Sequence, residues 1–282
     1  FAPGAATADD EASAGLEHIL DPELDDTRRR ERLAVLQAPD LVEPFLRRLD
    51  QLREGSYYRR LDETGRRRLQ VLLPRLLRAV TRVPNAESAL SRVLHVIERI
   101  GGRTVYLALL NENAVARERL FELCAHSQFL SDQIAAFPLL LDELLDDRLF
   151  DTTPTRAELA VELRNRMMNC TAGDTEEQVE ALRQFQRAAM FRIAVPDLTG
   201  RLPLMKVSDR LTDLAELLVQ ATLDLAWQQI VARHGVPLCG PTDDALRQAG
   251  MIVVAYGKFG GIELGYGSDL DLVFLHDSTG EV

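Results

Sequence analysis

Two aspartates, Asp269 and Asp271, lie one residue apart within an apolar run. The run predicts a β-strand that the aspartates open, and residues i and i+2 of a strand point to the same face. Both carboxylates can therefore converge on one point, while Leu270, Leu272 and Phe274 fill the sheet. Paired carboxylates are ligands that Mg²⁺ accepts beside a nucleoside triphosphate. We predict Asp269 and Asp271 as Mg²⁺ ligands and catalytic residues; the competing interpretation is a strand end with two solvated acids.

A glycine-rich stretch separates this strand from an earlier apolar one and contains Gly257, Gly260 and Gly261. Backbone N–H groups exposed in such a turn can bind phosphate oxygens, and glycine lets the backbone approach closely. We predict these glycines as nucleotide-binding residues, against the alternative of a hairpin turn that merely tolerates positive φ. Lys258 is predicted to neutralise the β- or γ-phosphate unless it is a solvated surface cation. Ser268 either donates to a phosphate oxygen or caps the second strand.

Several other polar residues have both a structural and a functional interpretation. Glu263 fits a structural role in the turn better than a direct one. Lys206, Asp209 and Arg210 lie where a long helix is predicted to begin, with Ser208 as its cap. They either face the nucleotide site or represent the ordinary chemistry of a helix start.

The order of these residues resembles the nucleotidyltransferase superfamily. Its pattern is a hydrophobic residue followed by Gly and by Gly or Ser, then a spacer and Asp-x-Asp. Tyr256-Gly257 fills the first two positions and Asp269-Leu270-Asp271 the last three. Lys258 stands where the superfamily has Gly or Ser, so a cation replaces a small phosphate-contacting residue.

A narrower resemblance comes from Gly-Lys-Phe-Gly-Gly-Ile-Glu-Leu at 257–264 together with Ser-Asp-Leu-Asp-Leu at 268–272. This motif is similar to that of the glutamine synthetase adenylyltransferase family. Segments 106–113, 137–145 and 202–212 resemble the same family. Members carry two nucleotidyltransferase halves, one that attaches AMP to glutamine synthetase and one that removes it. The sequence of these motifs, including Gly267-Ser268, most resembles the second, AMP-attaching half. The resemblance covers most of the chain after about Thr104.

The resemblance implies an enzyme that transfers AMP from ATP to a tyrosine of glutamine synthetase, lowers its activity and releases pyrophosphate. The same bifunctional protein would remove AMP by phosphorolysis. The implied cofactor is Mg²⁺, and the implied partners are ATP, glutamine synthetase and the PII signal protein as a regulator. The superfamily places a third carboxylate, a candidate general base, on a later strand, and we expect that strand to be absent from this chain. We therefore expect little or no transferase activity from this chain alone.

The predicted fold class is a mainly α-helical domain followed by the start of an α/β nucleotidyltransferase domain of the DNA polymerase β type. Apolar stripes at helical spacing support the helices. One stripe consists of Leu69, Leu72, Leu73, Leu76, Leu77 and Val80, and Pro74 is expected to kink or restart its helix. The long helix predicted from Ser208 should end near His234-Gly235. Residues 1–14 are predicted to be disordered, 15–245 to form linker, regulatory and pre-catalytic helices, and 246–282 to supply the first strands of a truncated nucleotidyltransferase domain.

The composition narrows the classes of function. The net charge of −11 and the aromatic content of 6% disfavour nucleic-acid binding, and we expect no nucleic-acid partner. Three dispersed cysteines, no apolar run of transmembrane length and no signal peptide favour a cytoplasmic protein without membrane association. Phe1 is not an initiator methionine, and Val282 closely follows the aspartates, so a piece of a longer protein is expected.

Two alternatives stay open at this point. The helical stretch is far longer than a nucleotidyltransferase core requires, so it could be a binding platform for glutamine synthetase or for the PII signal protein. The second alternative is another Mg²⁺-dependent nucleotidyltransferase, such as a uridylyl- or antibiotic-modifying enzyme. The wording of the glycine-rich stretch argues against it.

Overall fold

The computed structural model describes residues 15–240 and 247–278. The segment 1–14, for which the sequence predicts disorder, lies outside the described residues. The chain divides into two compact units, Phe1–Leu149 and Phe150–Val282. We call them the first and the second unit, and each is described by itself.

The first unit is built from helices that follow one another with short connections. Its helices are α1 (Asp26–Ala34), α2 (Val42–Glu54), α3 (Ser56–Arg60), α4 (Glu63–Val80), α5 (Ala86–Ile100), α6 (Thr104–Glu112), α7 (Ala114–His126) and α8 (Gln128–Ala136), with 3₁₀ segments at Pro39–Leu41 and Pro138–Leu145.

Helix α4 shows how the sequence specifies these elements. Asp62 caps its N-terminus, and the Asp62 carboxylate accepts a hydrogen bond of 2.7 Å from the Gly65 amide. The predicted apolar stripe, including Leu69 and Leu76, is fully buried. The expected restart at Pro74 is not observed, because a single helix continues through this residue. Burial of the whole stripe offsets the loss of one backbone hydrogen bond at Pro74.

A buried arginine joins α1 to α2. The side chain of Arg29 is completely inaccessible to solvent, and its Nη1 lies 2.6 Å from the carboxylate of Asp50 and 3.4 Å from that of Asp26. Among the described residues, its Nε and Nη2 atoms find no hydrogen-bond partner. Removal of a carboxylate that faces Arg29 would leave the buried guanidinium charge without compensation. These carboxylates therefore contribute strongly to the stability of this unit.

The described residues of the second unit form three long helices, one single-turn helix and short strands. Its elements are α9 (Arg156–Met168), α10 (Thr175–Leu198), α11 (Leu204–His234), β1 (Leu238–Cys239), β2 (Arg247–Gln248), β3 (Met251–Tyr256), α12 (Gly257–Gly260) and β4 (Asp271–His276). Helix α9 opens with a capping box, in which Thr155 and Glu158 satisfy each other's backbone amides.

Helix α11 begins earlier than the sequence predicted. The residue before it is Pro203, so Ser208 lies inside the helix and does not cap it. Proline has a fixed φ that suits the start of a helix, and the Leu-Met-Lys that follows it has good helix propensity. The predicted end is confirmed, because Gly235 terminates the helix with a φ of 83°.

The strands form two antiparallel pairs. In the longer pair, β3 and β4 run in a register that places Met251 opposite His276 and Tyr256 opposite Asp271. In the shorter pair, β1 faces β2. Asp277 follows β4 and accepts hydrogen bonds from the Gly250 amide and from Arg247, at 2.6 and 2.5 Å. This clamp fixes the end of the hairpin that lies away from Asp271.

The predicted fold class is confirmed: the chain is mainly helical and continues into a small α/β part at its carboxyl-terminal side. Across the described ranges, no helix combines the length and the apolar character that crossing a bilayer requires.

Candidate functional site

The glycine-rich stretch folds as a single helical turn, α12, and not as the hairpin turn of the alternative interpretation. The Gly261 amide donates to the Gly257 carbonyl at 3.0 Å, and the Glu263 amide donates to the Lys258 carbonyl at 2.8 Å. Phe259 and Leu264 are buried in the core of the second unit. The turn is therefore anchored by two apolar side chains, while the glycines between them remain exposed.

Two of the glycines are required by close approaches of other atoms. Gly257 has a φ of 55°, and a Cβ there would collide with the carboxylate of Asp271. A Cβ at Gly260 would lie 2.6 Å from the carbonyl oxygen of Ala255, a backbone atom that cannot rotate away. The same packing shows that the Asp271 carboxylate lies directly against the start of the glycine-rich turn.

The two aspartates enter the site from different local structures. Asp271 is the first residue of β4, whereas Asp269 precedes the strand, so the alternation of a strand does not govern Asp269. Both side chains are exposed. Within the part of the chain that the structure describes, neither carboxylate makes a hydrogen bond or an ion pair. Asp197 and Asp277 in the same unit, by contrast, accept hydrogen bonds. The pair is therefore available to a ligand.

The apolar residues between and after the aspartates do not fill a core as the sequence predicted. Leu270 is 39% exposed and Phe274 is 54% exposed, and only Leu272 packs against the core cluster. All three line a largely apolar cavity of about 660 Å³, whose other walls come from α10, α11, Met251 and the segment 264–268. The side chains share one face, as expected for alternate residues, but that face borders a cavity.

A β-turn immediately precedes Asp269. The Ser268 amide donates to the Gly265 carbonyl at 3.1 Å, and the Ser268 hydroxyl accepts from the Gly265 amide at 3.0 Å. The hydroxyl proton of Ser268 is still able to donate to another acceptor. Ser268 therefore closes the turn that leads into the aspartates.

Sequence reasoning missed a contact between this turn and helix α10. The hydroxyl of Tyr266 donates a hydrogen bond of 2.7 Å to the carboxylate of Asp197 in the last turn of α10. Burial and the neighbouring Asp197 carboxylate raise the pKa of Tyr266 above that of a free tyrosine. A carboxylate is unfavourable near the C-terminus of a helix. The position of Asp197 at the end of α10 was therefore the one signal in the sequence that this residue has a partner.

The remaining candidates are exposed or half-buried. The side chain of Lys258 is exposed, as is that of Glu263, whose backbone amide rather than its carboxylate bonds within the turn. In α11, Lys206 and Asp209 pair with each other at 3.4 Å, and Arg210 pairs with Asp213 at 3.2 Å. These pairs are the ordinary i, i+3 contacts of a helix.

Within residues 15–240 and 247–278, no group of three or more His, Cys, Asp or Glu side chains could hold a metal ion. Two unpaired carboxylates are nevertheless a donor set that suits Mg²⁺. This ion usually keeps several waters and binds through one or two carboxylates together with the phosphates of a substrate. Asp269 and Asp271 therefore fit Mg²⁺ as a partner of a bound nucleotide.

The profile of the family described as Glutamate-ammonia ligase adenylyltransferase matches residues 117–282, which is more than half of the chain and includes the whole site. The chain belongs to this family. The description of this family names an adenylyltransferase.

Individual relatives agree with this assignment. The chain is 48% identical over 232 residues to the bifunctional glutamine synthetase adenylyltransferase/adenylyl-removing enzyme of Pseudomonas putida, a match that covers 82% of this chain and 24% of that protein. The enzymes of the same description from Shewanella woodyi and Thioalkalivibrio sulfidiphilus are 46% and 43% identical, over 81% and 83% of this chain and 24% of each relative. The chain thus spans about a quarter of the length of these relatives.

Proposed function

We propose that the intact protein transfers AMP from ATP to a tyrosine hydroxyl of glutamine synthetase, and that residues 257–271 supply part of the nucleotide and metal site. Family membership supports the reaction type. The names of the relatives, which combine adenylyltransferase with adenylyl-removing enzyme, support glutamine synthetase as the protein substrate. A cytoplasmic location is consistent with ATP as the donor.

The observation that carries the proposal is the juxtaposition of the Asp271 carboxylate with the backbone of Gly257. A side chain at position 257 would occupy the space of that carboxylate, so the glycine and the acid form one structural feature. A free carboxylate beside an exposed glycine turn brings a cation-binding group next to a surface that phosphates can approach.

Each candidate residue has a defined part in this proposal. Asp269 and Asp271 hold the metal ion. Gly257 and Gly260 keep the turn close to the strands, and Lys258 offsets charge on the β- or γ-phosphate. The Gly261 amide is engaged with Gly257, so its contribution is to the shape of the turn.

Ser268 has a hydroxyl proton left for a phosphate oxygen. When Mg²⁺ is bound, it supplies charge neutralisation at the triphosphate and at the departing pyrophosphate.

The direct test uses the intact protein with glutamine synthetase, Mg²⁺ and ATP labelled at the α-phosphate. The natural protein is compared with the double variant Asp269→Asn, Asp271→Asn and with Asp224→Asn, a matched control on the exposed surface of α11. We expect label in glutamine synthetase with the natural protein and the control, and at least a hundredfold loss with the double variant. Undiminished labelling by the double variant would exclude these aspartates from the attaching site. Release of AMP by phosphate from modified glutamine synthetase would then be measured on the same variant.

We further propose that the first unit is a platform for a protein partner, either glutamine synthetase or the PII signal protein. Residues 1–149 form a compact unit of their own that contains none of the candidate site residues. Immobilised intact protein should retain one of the two partners, and removal of the first unit should abolish retention. Equal retention without this unit would refute the platform.

A further inference from the structure

A partly buried hydrogen bond links the turn that precedes the two aspartates to α10. Leu264, on one side of the turn, is buried, and Asp271, on the other, pairs with β3. Between them, Gly265 and Gly267 are exposed and Tyr266 is partly buried. The hydroxyl of Tyr266 reaches Asp197 at 2.7 Å, across 69 residues of sequence.

The turn is closed by internal hydrogen bonds. Two hydrogen bonds between Gly265 and Ser268 close it, so its orientation is set by what holds it from outside. Glycine on both sides of Tyr266 gives the backbone a wide choice of conformations. The hydrogen bond of the Tyr266 side chain therefore restricts where Asp269, the residue that follows the turn, can lie.

We propose that Tyr266 and Asp197 are positioning residues that preset the metal-binding aspartates through the orientation of this turn. The inference rests on the proposed function, because it concerns the same metal site. Neither residue is expected to touch the substrate. Their contribution is to reduce the number of conformations that Asp269 must give up when the cation binds beside Asp271.

Partners that orient metal ligands typically change metal affinity or activity by about ten- to a hundredfold when they are removed. Because Tyr266 acts through the backbone rather than on a ligand directly, we expect the lower end, about tenfold. The effect should depend on the hydrogen bond and not on the charge of Asp197. An asparagine at position 197 still offers an oxygen that accepts from the tyrosine hydroxyl.

The experiment measures binding of Mn²⁺, as a paramagnetic substitute for Mg²⁺, to the intact protein in the presence of a non-hydrolysable ATP analogue. Free Mn²⁺ is quantified by electron paramagnetic resonance. The variants are Tyr266→Phe, Asp197→Leu and Asp197→Asn, with Asp271→Asn as the reference that removes a ligand. We expect Tyr266→Phe and Asp197→Leu to raise the dissociation constant about tenfold. Asp197→Asn should stay within about threefold of the natural protein, because the acceptor remains.

A second measurement separates positioning from a general loss of structure. Thermal unfolding is recorded for each variant, and the double variant Tyr266→Phe, Asp197→Leu should bind Mn²⁺ no more weakly than either single variant. If Tyr266→Phe lowers the melting temperature but leaves Mn²⁺ binding unchanged while Asp271→Asn abolishes it, the positioning role is refuted and the metal site stands. If Asp271→Asn binds Mn²⁺ like the natural protein, the metal site itself is refuted, and the positioning role with it.

Discussion

The adjacent glycines Gly260 and Gly261 should respond oppositely to the same substitution. In Gly260→Ala, the new Cβ would lie 2.6 Å from the Ala255 carbonyl oxygen, whereas ordinary contacts begin at 3.4 Å. The turn or strand β3 must therefore move by about 0.8 Å, because the obstructing atom belongs to the backbone. Forced shifts of this kind cost about 1–3 kcal/mol, and the better helix propensity of alanine returns at most about 1 kcal/mol.

Gly261→Ala is the matched control. Its Cβ would meet the nearest atom, the Gly257 carbonyl oxygen, at 3.4 Å, and its φ of −87° suits an alanine. Reduced freedom of the unfolded chain should make this variant neutral or more stable by up to about 1 kcal/mol. The two variants should therefore differ by about 2 kcal/mol in the free energy of unfolding.

Urea unfolding followed by tryptophan fluorescence is a suitable assay, because Trp227, the single tryptophan of the chain, lies in α11 of the same unit. A difference of 2 kcal/mol corresponds to roughly 1 M urea between the two midpoints. Equal midpoints for Gly260→Ala and Gly261→Ala would refute the close approach of the turn to β3, and with it the geometry on which the site is built.

Three further outcomes are expected. Asp50→Ala should destabilise the first unit by about 3 kcal/mol in chemical unfolding, because it leaves the buried charge of Arg29 undercompensated. Arg29→Met should lower the free energy of unfolding by less. A larger loss for Arg29→Met than for Asp50→Ala would contradict this description of the ion pair. Burial raises the pKa of Cys124 to about 12, so its thiol should resist iodoacetamide at pH 8 in the folded chain and react in urea. Because the pKa is raised in the folded chain, the neutral thiol contributes its full stabilisation below about pH 8.5, and this contribution is lost as the pH rises towards 12. Rapid labelling of the folded chain by iodoacetamide would refute the burial of Cys124. Gly257→Ala should lower AMP transfer by the intact protein about tenfold, because its Cβ displaces the Asp271 carboxylate; unchanged transfer would separate that contact from catalysis.

Sequence patterns were sufficient where one local signal dominates. The stripe that includes Leu69 and Leu76 predicted the buried face of α4, and Gly235 predicted the end of α11. In both cases the deciding interaction lies within a few residues of the chain. Burial of an apolar stripe or a left-handed terminator needs no knowledge of distant segments.

The predictions that depended on competing signals were wrong. Ser208 is a good cap by residue type, but Pro203 starts α11 a turn earlier. Leu270 and Phe274 alternate as core residues do, yet they border a cavity. Which face of a strand is covered depends on elements that local periodicity does not encode.

For the site, the sequence predicted the residue types, and the structure adds their relation in space. The approach of Asp271 to Gly257 follows from the pairing of β4 with β3, which places Asp271 opposite Tyr256. The contact of Tyr266 with Asp197 joins residues too far apart in the chain for spacing to suggest it. The roles of Asp269, Lys258 and the glycines as metal and nucleotide ligands stay predictions.

The central claim is that this chain supplies part of a site that transfers the nucleotidyl group of ATP. The most direct measurement incubates the intact protein and glutamine synthetase with Mg²⁺ and with ATP labelled at either the α- or the γ-phosphate. Label from the α-phosphate alone should enter glutamine synthetase, with γ-label released as pyrophosphate. Incorporation of the γ-label, or of neither label, would contradict the account.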